Sequence, residues 1–141
     1  VILVGNPNFD QRLDLVAESP LEGFQNIMYT LHFYAATHSE QLRNTAQVAW
    51  EKGIPIFVSE CAGMEASGDG PLNVEEWQHW IDWMEVHKIS WVNWSVSDMN
   101  ETCSMILPRA DKNGGWTEEL IKPYGRLVRE FVRKYNADIY E

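Results

Sequence analysis

The 141-residue chain is 45% hydrophobic, which supplies apolar material for one core and leaves too little length for two ordinary domains. Its 21 acidic residues against 11 basic ones give a formal charge of −10, and the basic residues are scattered. That balance excludes a phosphate-binding face for nucleic acid and a polybasic anchor for anionic lipid, and no apolar run approaches the roughly 18 residues of a membrane span.

The first residues, Val1-Ile2-Leu3-Val4, are too short for a signal segment and lack a basic start, so targeting information is expected to be missing or removed. Val1–Gly5 is a short apolar run closed by a turn at Asn6-Pro7, and Gln11–Glu18 carries Leu13, Leu15 and Val16. The pair reads as strand and helix. Ile27–Tyr34 is a second strand of apolar and aromatic residues. Ser39–Lys52 places Leu42, Ala46, Ala49 and Trp50 on one helical face, and Gly53 follows where left-handed backbone ends helices.

Pro55–Ser59 is β-branched and reads as a fully buried strand. The third helix opens at Asn73, whose side chain can cap while Glu76 reciprocates, and Trp77, Trp80, Ile81 and Met84 share a stripe. Ser90–Ser95 is the fourth strand. After a long loop through Trp116, a helix from Pro123 carries Tyr124, Leu127, Val128, Phe131 and Tyr135 at helical spacing. Cys61 and Cys103 show no paired metal spacing. Free buried thiols are expected, with a single bridge left open.

Strands alternating with helices make this an α/β chain of parallel (β/α) units covered by helices. Polar and aromatic residues collect after each strand, from Asn6 to Phe9, from His32 to Tyr34, at Glu60 and from Trp94 to Asp98. A (β/α)8 barrel builds its site there, but an open parallel sheet favours the same edge, so the clustering does not choose between them.

Glu60 closes the apolar run Ile56-Phe57-Val58-Ser59, where low-dielectric surroundings tune a carboxylate. His32 and Tyr34 share strand parity and point to one side. Trp94 shares parity with Val92 and aims inward, whereas Trp91 falls on the opposite parity and packs under a helix. Taken singly, Glu60 reads first as a solvated acid at a strand exit, and His32, Tyr34 and Trp94 as satisfied core residues.

Together they are more specific. Tyr29-Thr30-Leu31-His32-Phe33-Tyr34-Ala35-Ala36-Thr37-His38, then Ile56-Phe57-Val58-Ser59-Glu60, then Ile89-Ser90-Trp91-Val92-Asn93-Trp94-Ser95 resemble in order and spacing the second half of glycoside hydrolase family 5 cellulases, and more narrowly the small bacterial endoglucanases. Gly114-Gly115-Trp116-Thr117 and Val128-Arg129-Glu130 continue the resemblance. It implies that residues 1–141 are the C-terminal half of a catalytic domain, the last four units of a (β/α)8 TIM barrel.

By the same resemblance, Glu60 is the nucleophile, Tyr34 donates a hydrogen bond to it, and His32 borders the same subsite. Trp94 floors the subsite of the attacked sugar, Phe9 stacks on the leaving-group side, and Glu101 binds glycone hydroxyls. The acid/base Glu of the family stands in an Asn-Glu-Pro motif that this sequence lacks. The chain therefore resembles half of a retaining endo-β-1,4-glucanase that needs no metal or cofactor, and it is expected to be inactive alone.

Its expected partners are a β-glucan and either the N-terminal half of the barrel or a second copy of the chain. The family also implies a secreted, extracellular protein. Cys61-Ala62-Gly63 replaces the usual Trp-Gly after the nucleophile, and Met99 stands where relatives place a Lys. The alternatives are a non-catalytic carbohydrate-binding module, in which Trp94, Phe9 and Trp116 hold a glucan, and a structural half-barrel fragment.

Overall fold

The computed structural model describes residues 1–140. Four strands form one sheet in the order β1-β2-β3-β4, with β1 at Ile2–Val4, β2 at Ile27–Tyr34, β3 at Ile56–Ala62 and β4 at Trp91–Asn93. Every adjacent pair is parallel. Strand order equal to chain order, with no reversal, is the winding of a barrel; a doubly wound open sheet reverses at a switch point. The question left open by residue clustering is settled by this order, and the chain is a run of (β/α) units from a barrel.

The connecting helices start and stop for local reasons. Helix α1 (Pro7–Asp10) is a single turn and α2 (Leu13–Glu18) follows it. Helix α3 spans Glu40–Glu51 and ends before Gly53, whose φ of 81° only glycine adopts freely. In α4 (Val74–His87), the Asn73 side chain accepts from the Glu76 N–H at 3.0 Å, as the sequence predicts. Helix α5 (Pro123–Tyr135) begins with proline at its first turn, and α6 (Ala137–Tyr140) closes the described chain.

Tyr29, Leu31 and Phe33 of β2 and Ile56 and Val58 of β3 are buried against α3 and α4. The Trp77, Trp80, Ile81 and Met84 stripe is fully buried there. Phe33 stacks on Trp80 with ring centres 4.0 Å apart, and Trp91 meets Trp77 edge-on, on the helix side assigned to it from parity. Burying side chains of this size contributes roughly 1.5–3 kcal/mol each. Both cysteines are free and buried.

Three expectations need correction. The first helix begins at Leu13 rather than Gln11, because residues 7–10 are spent on the α1 turn. The fourth strand is only Trp91–Asn93, half of Ser90–Ser95, since β4 pairs with β3 alone and β3 ends at Ala62. The third strand does not stop at Ser59 but runs through Glu60 to Ala62. The 3-10 turn Glu118–Leu120 and the Ile106–Ile121 bridge have no periodic signature and went unforeseen.

Gly125 shows how closely α5 is seated. A Cβ added there would lie 2.5 Å from the Met105 carbonyl oxygen and 2.9 Å from Ile121 Cγ2. Gly→Ala inside a helix usually gains up to about 1 kcal/mol in propensity, but overpacking costs about 1–3 kcal/mol. Backbone cannot yield as a flexible side chain does, so Gly125→Ala is expected to destabilise. A lower urea midpoint at unchanged slope is the result to look for; a raised midpoint would contradict the packing.

Candidate active site

The site depends on one irregularity in β3. Leu31 pairs with Val58, but His32 pairs with Glu60, so Ser59 is an extra residue on β3; the same insertion separates the Val58–Trp91 and Cys61–Asn93 pairs. Without it, alternation would place Glu60 beside Ile56 and Val58 on the helix face, a carboxylate in the core. The bulge returns Glu60 to the inner face next to Ser59 and sends Cys61 into the core, where it is fully buried. Burial drives the Cys61 thiol well above its usual pKa. The segment after the bulge is pinned at the Cys61 carbonyl, which accepts from the Trp94 N–H at 2.9 Å and the Tyr124 hydroxyl at 3.2 Å.

Glu60 thereby meets the inner-face residues of β2. The Tyr34 hydroxyl donates to Glu60 Oε1 at 2.8 Å. Burial, reinforced by the Glu60 hydrogen bond and charge, raises the Tyr34 phenol well above the usual tyrosine range, so it remains a donor. His32 stands on the other side, with Nδ1 3.9 Å from Glu60 Oε2 and Nε2 2.8 Å from Ser59 Oγ and 3.5 Å from Asp10 Oδ2. These groups open on a cavity of about 570 Å3 whose wall includes Phe9, Asp10, His32, Tyr34, His38 and Glu60. The Glu60 side chain is 26% exposed, enough for a ligand to reach it.

His38 supports Tyr34 from below. Its Nδ1 accepts from the Tyr34 backbone N–H at 2.9 Å, and its Nε2 lies 3.2 Å from the Gln11 amide. Burial lowers its pKa, in keeping with an imidazole nitrogen that must stay unprotonated to accept.

Phe9 stands at the rim and is 83% exposed. It is displayed by a left-handed run in which Asn8, Phe9 and Asp10 have φ of 57°, 55° and 62°. Each such non-glycine residue costs roughly 1–2 kcal/mol, and specific bonds offset that cost. Asp10 Oδ1 accepts from the Asn6 N–H at 2.6 Å and the Thr30 hydroxyl at 2.7 Å, while Asn6 Nδ2 donates to the Thr30 carbonyl at 2.7 Å.

Four of the six residues singled out from the sequence, Glu60, Tyr34, His32 and Phe9, thus line one cavity. Trp94 lies just beyond β4, and its half-exposed indole is not part of that cavity's wall. Glu101 lies elsewhere, in a depression of about 500 Å3 with Asp69 and Lys122, where its Oε2 accepts weakly from the Cys103 thiol at 3.5 Å. Sequence reasoning missed Asp10, Gln11 and His38 on the cavity wall and Ser59 against His32. His38, four residues after Tyr34, could have been found from the turn that returns it to the Tyr34 N–H; Asp10 left no signal.

The model of the Cellulase family, glycosyl hydrolase family 5, matches residues 1–100. Endoglucanase A of Evansella cellulosilytica is 40% identical over 134 residues, which are 95% of this chain and 27% of that protein. A solved protein from Cytophaga hutchinsonii superposes with a TM-score of 0.96 at 44% identity, over 99% of this chain and 45% of its own. The catalytic domain of Thermobifida fusca endoglucanase Cel5A does so with 0.86 at 30% identity, over 94% of this chain and 46% of its own. The chain thus spans less than half the length of each of these relatives. Its sheet, its cavity and these similarities agree, and the chain belongs to glycosyl hydrolase family 5, the cellulase family.

Proposed function

We propose that residues 1–141 form the C-terminal half of the catalytic barrel of a retaining endo-β-1,4-glucanase and contribute its nucleophile. The observation that carries this reading is the Glu60 carboxylate, turned by the β3 bulge into an open cavity and held there by the Tyr34 hydroxyl at 2.8 Å. Glu60 attacks the anomeric carbon of a cellulose-like β-glucan to form a glycosyl ester, and water then releases the sugar with its configuration retained. Tyr34 orients the attacking oxygens and His32 bounds them. Phe9 stacks on the leaving-group side, Trp94 receives the attacked sugar, and Glu101 binds glycone hydroxyls.

Retention requires a second carboxyl group about 5–5.5 Å from the first. Asp10, the other carboxylate on the cavity wall, has Oδ1 engaged by two hydrogen bonds and Oδ2 turned to His32. It is not free to protonate a leaving oxygen. The acid/base therefore comes from the rest of the barrel, or from a second copy docked on the inner face, and the chain alone turns over glucan negligibly. An insoluble polymeric substrate cannot enter a cell, which puts the intact enzyme outside it.

Trapping tests the assignment. An activated 2-deoxy-2-fluoro cellobioside has a leaving group that needs no protonation, so the nucleophile alone suffices for the first step. The assay needs a complete barrel, made by exchanging the matched segment of the Cytophaga hutchinsonii protein for this chain. Mass spectrometry of its peptides should find the fluorosugar on Glu60. An adduct on another carboxylate, or product of inverted configuration, would overturn the proposal.

A further inference from the structure

Asp10 stands between the left-handed turn that bears Phe9 and the His32 ring beside Glu60. Its Oδ1 accepts from the Asn6 N–H and the Thr30 hydroxyl, which holds the left-handed turn bearing Phe9 on the inner face of β2. Its Oδ2 lies 3.5 Å from His32 Nε2, a nitrogen that also meets Ser59 Oγ at 2.8 Å. The Asp10 side chain is only 19% exposed, so water competes little for either oxygen. If the residue served only to close the turn, one acceptor oxygen would suffice.

We propose that Asp10 is a positioning residue with two separable tasks: Oδ1 fixes the Phe9 platform, and Oδ2 fixes the tautomer and tilt of His32 beside Glu60. This rests on the reading of Glu60 as nucleophile. A carboxylate only accepts, so facing Nε2 it selects the imidazole form that carries a proton there, with Ser59 Oγ as the nearer acceptor. The ring's Nδ1 edge is then turned toward Glu60 Oε2, 3.9 Å away. Glu60 is thus held by the Tyr34 hydroxyl on one oxygen, while the His32 ring, whose unprotonated Nδ1 donates nothing to it, bounds the other only as a wall. Loss of that wall lets the carboxylate turn away from its attack line, and misplacement on that scale costs rate.

The two tasks predict different kinetic signatures in the complete barrel. Asp10→Asn keeps one acceptor for the turn but sets an N–H against His32 Nε2, donor facing donor. It is expected to lower kcat about tenfold with KM within about twofold of the parent. Thr30→Val removes the hydroxyl that bonds Asp10 Oδ1 at 2.7 Å and the Val4 carbonyl at 3.2 Å but leaves Asp10 Oδ2 facing His32. It is expected to raise KM several-fold at unchanged kcat, because the Phe9 platform loosens while His32 stays. Asp10→Ala should show both effects.

Histidine 15N spectra give a readout independent of turnover: His32 carries its proton on Nε2 in the parent and becomes a tautomer mixture in Asp10→Asn. Parent-like kcat and parent-like His32 spectra in Asp10→Asn would overturn the inference, as would losses in both variants that merely follow a fall in Tm. Glu60→Gln in the same barrel separates the two levels. If it is inactive while the Asp10 variants behave as the parent, only this inference fails; if it stays active, the nucleophile assignment fails and takes this inference with it.

Discussion

Replacing Glu60 by Gln in a complete barrel is expected to lower glucan hydrolysis by about four orders of magnitude or more, the scale on which removing a nucleophile acts. The substitution is nearly isosteric. The amide oxygen can still accept from the Tyr34 hydroxyl, which now lies 2.8 Å from Oε1, so the cavity keeps its shape and glucan affinity should change little. A neutral amide cannot form the glycosyl ester, and hydrolysis stops at the first step. Tyr34→Phe, which only releases one oxygen of the nucleophile, should cost about tenfold to a hundredfold by the same logic.

Glu60→Ala supplies a second, chemically distinct outcome. The emptied space admits azide, which attacks the anomeric carbon of an activated β-glycoside from the face Glu60 would have used, as the phenolate departs. The product should be the α-glycosyl azide. A β-glycosyl azide would mean that position 60 had been the acid/base, and no azide product with unchanged hydrolysis would mean that Glu60 takes no part in bond cleavage.

Much of the fold is legible in the sequence because its elements bury continuous stripes. Ile27–Tyr34 is found with the bounds the structure gives it, and the Trp77, Trp80, Ile81 and Met84 stripe lies where helical spacing puts it. Strand order is not legible, since the clustering of polar residues after strands fits a barrel or an open sheet equally. The bulge is the deeper gap. Strict alternation from Ile56 and Val58 buries residue 60, and a single inserted residue that reverses this leaves no mark in composition or periodicity.

The resemblance to a family names Glu60, but only the register explains why it can act. The same holds for Asp10, the last of three left-handed residues, a run into which Asn and Asp fit readily but which at Phe9 no residue preference announces. Glu101 comes from the resemblance alone and Trp94 from strand parity and the resemblance together, and neither lines the Glu60 cavity. Subsites shared with the rest of a barrel leave an incomplete imprint on one half of it.

Trp80→Ala is expected to be the most destabilising single truncation in the core, costing about 3–5 kcal/mol out of the roughly 5–15 kcal/mol by which a domain is stable. The indole is fully buried, stacks on Phe33, and carries the Arg43 guanidinium 5.2 Å from its ring centre. Its Nε1–H donates to the His38 carbonyl at 2.8 Å, which ties α4 to the turn that supports Tyr34. Trp80→Phe keeps most of the stacking and loses that bond, about 1 kcal/mol plus an orphaned carbonyl.

Trp77 provides the control. It is equally buried, but its Nε1 has no hydrogen-bond partner among the described residues. Trp77→Phe therefore removes an unsatisfied donor along with some contact area and should be the milder change. Urea unfolding of the four variants, Trp80→Ala, Trp80→Phe, Trp77→Ala and Trp77→Phe, orders them. The Phe variants should separate by the hydrogen bond, with Trp80→Phe the lower midpoint. Only the Trp80 changes should also lower kcat in a complete barrel beyond the unfolded fraction, because only they release His38 and with it the Tyr34 N–H. Equal midpoints for the two Phe variants, or equal kcat, would break the proposed link between the helix core and the nucleophile.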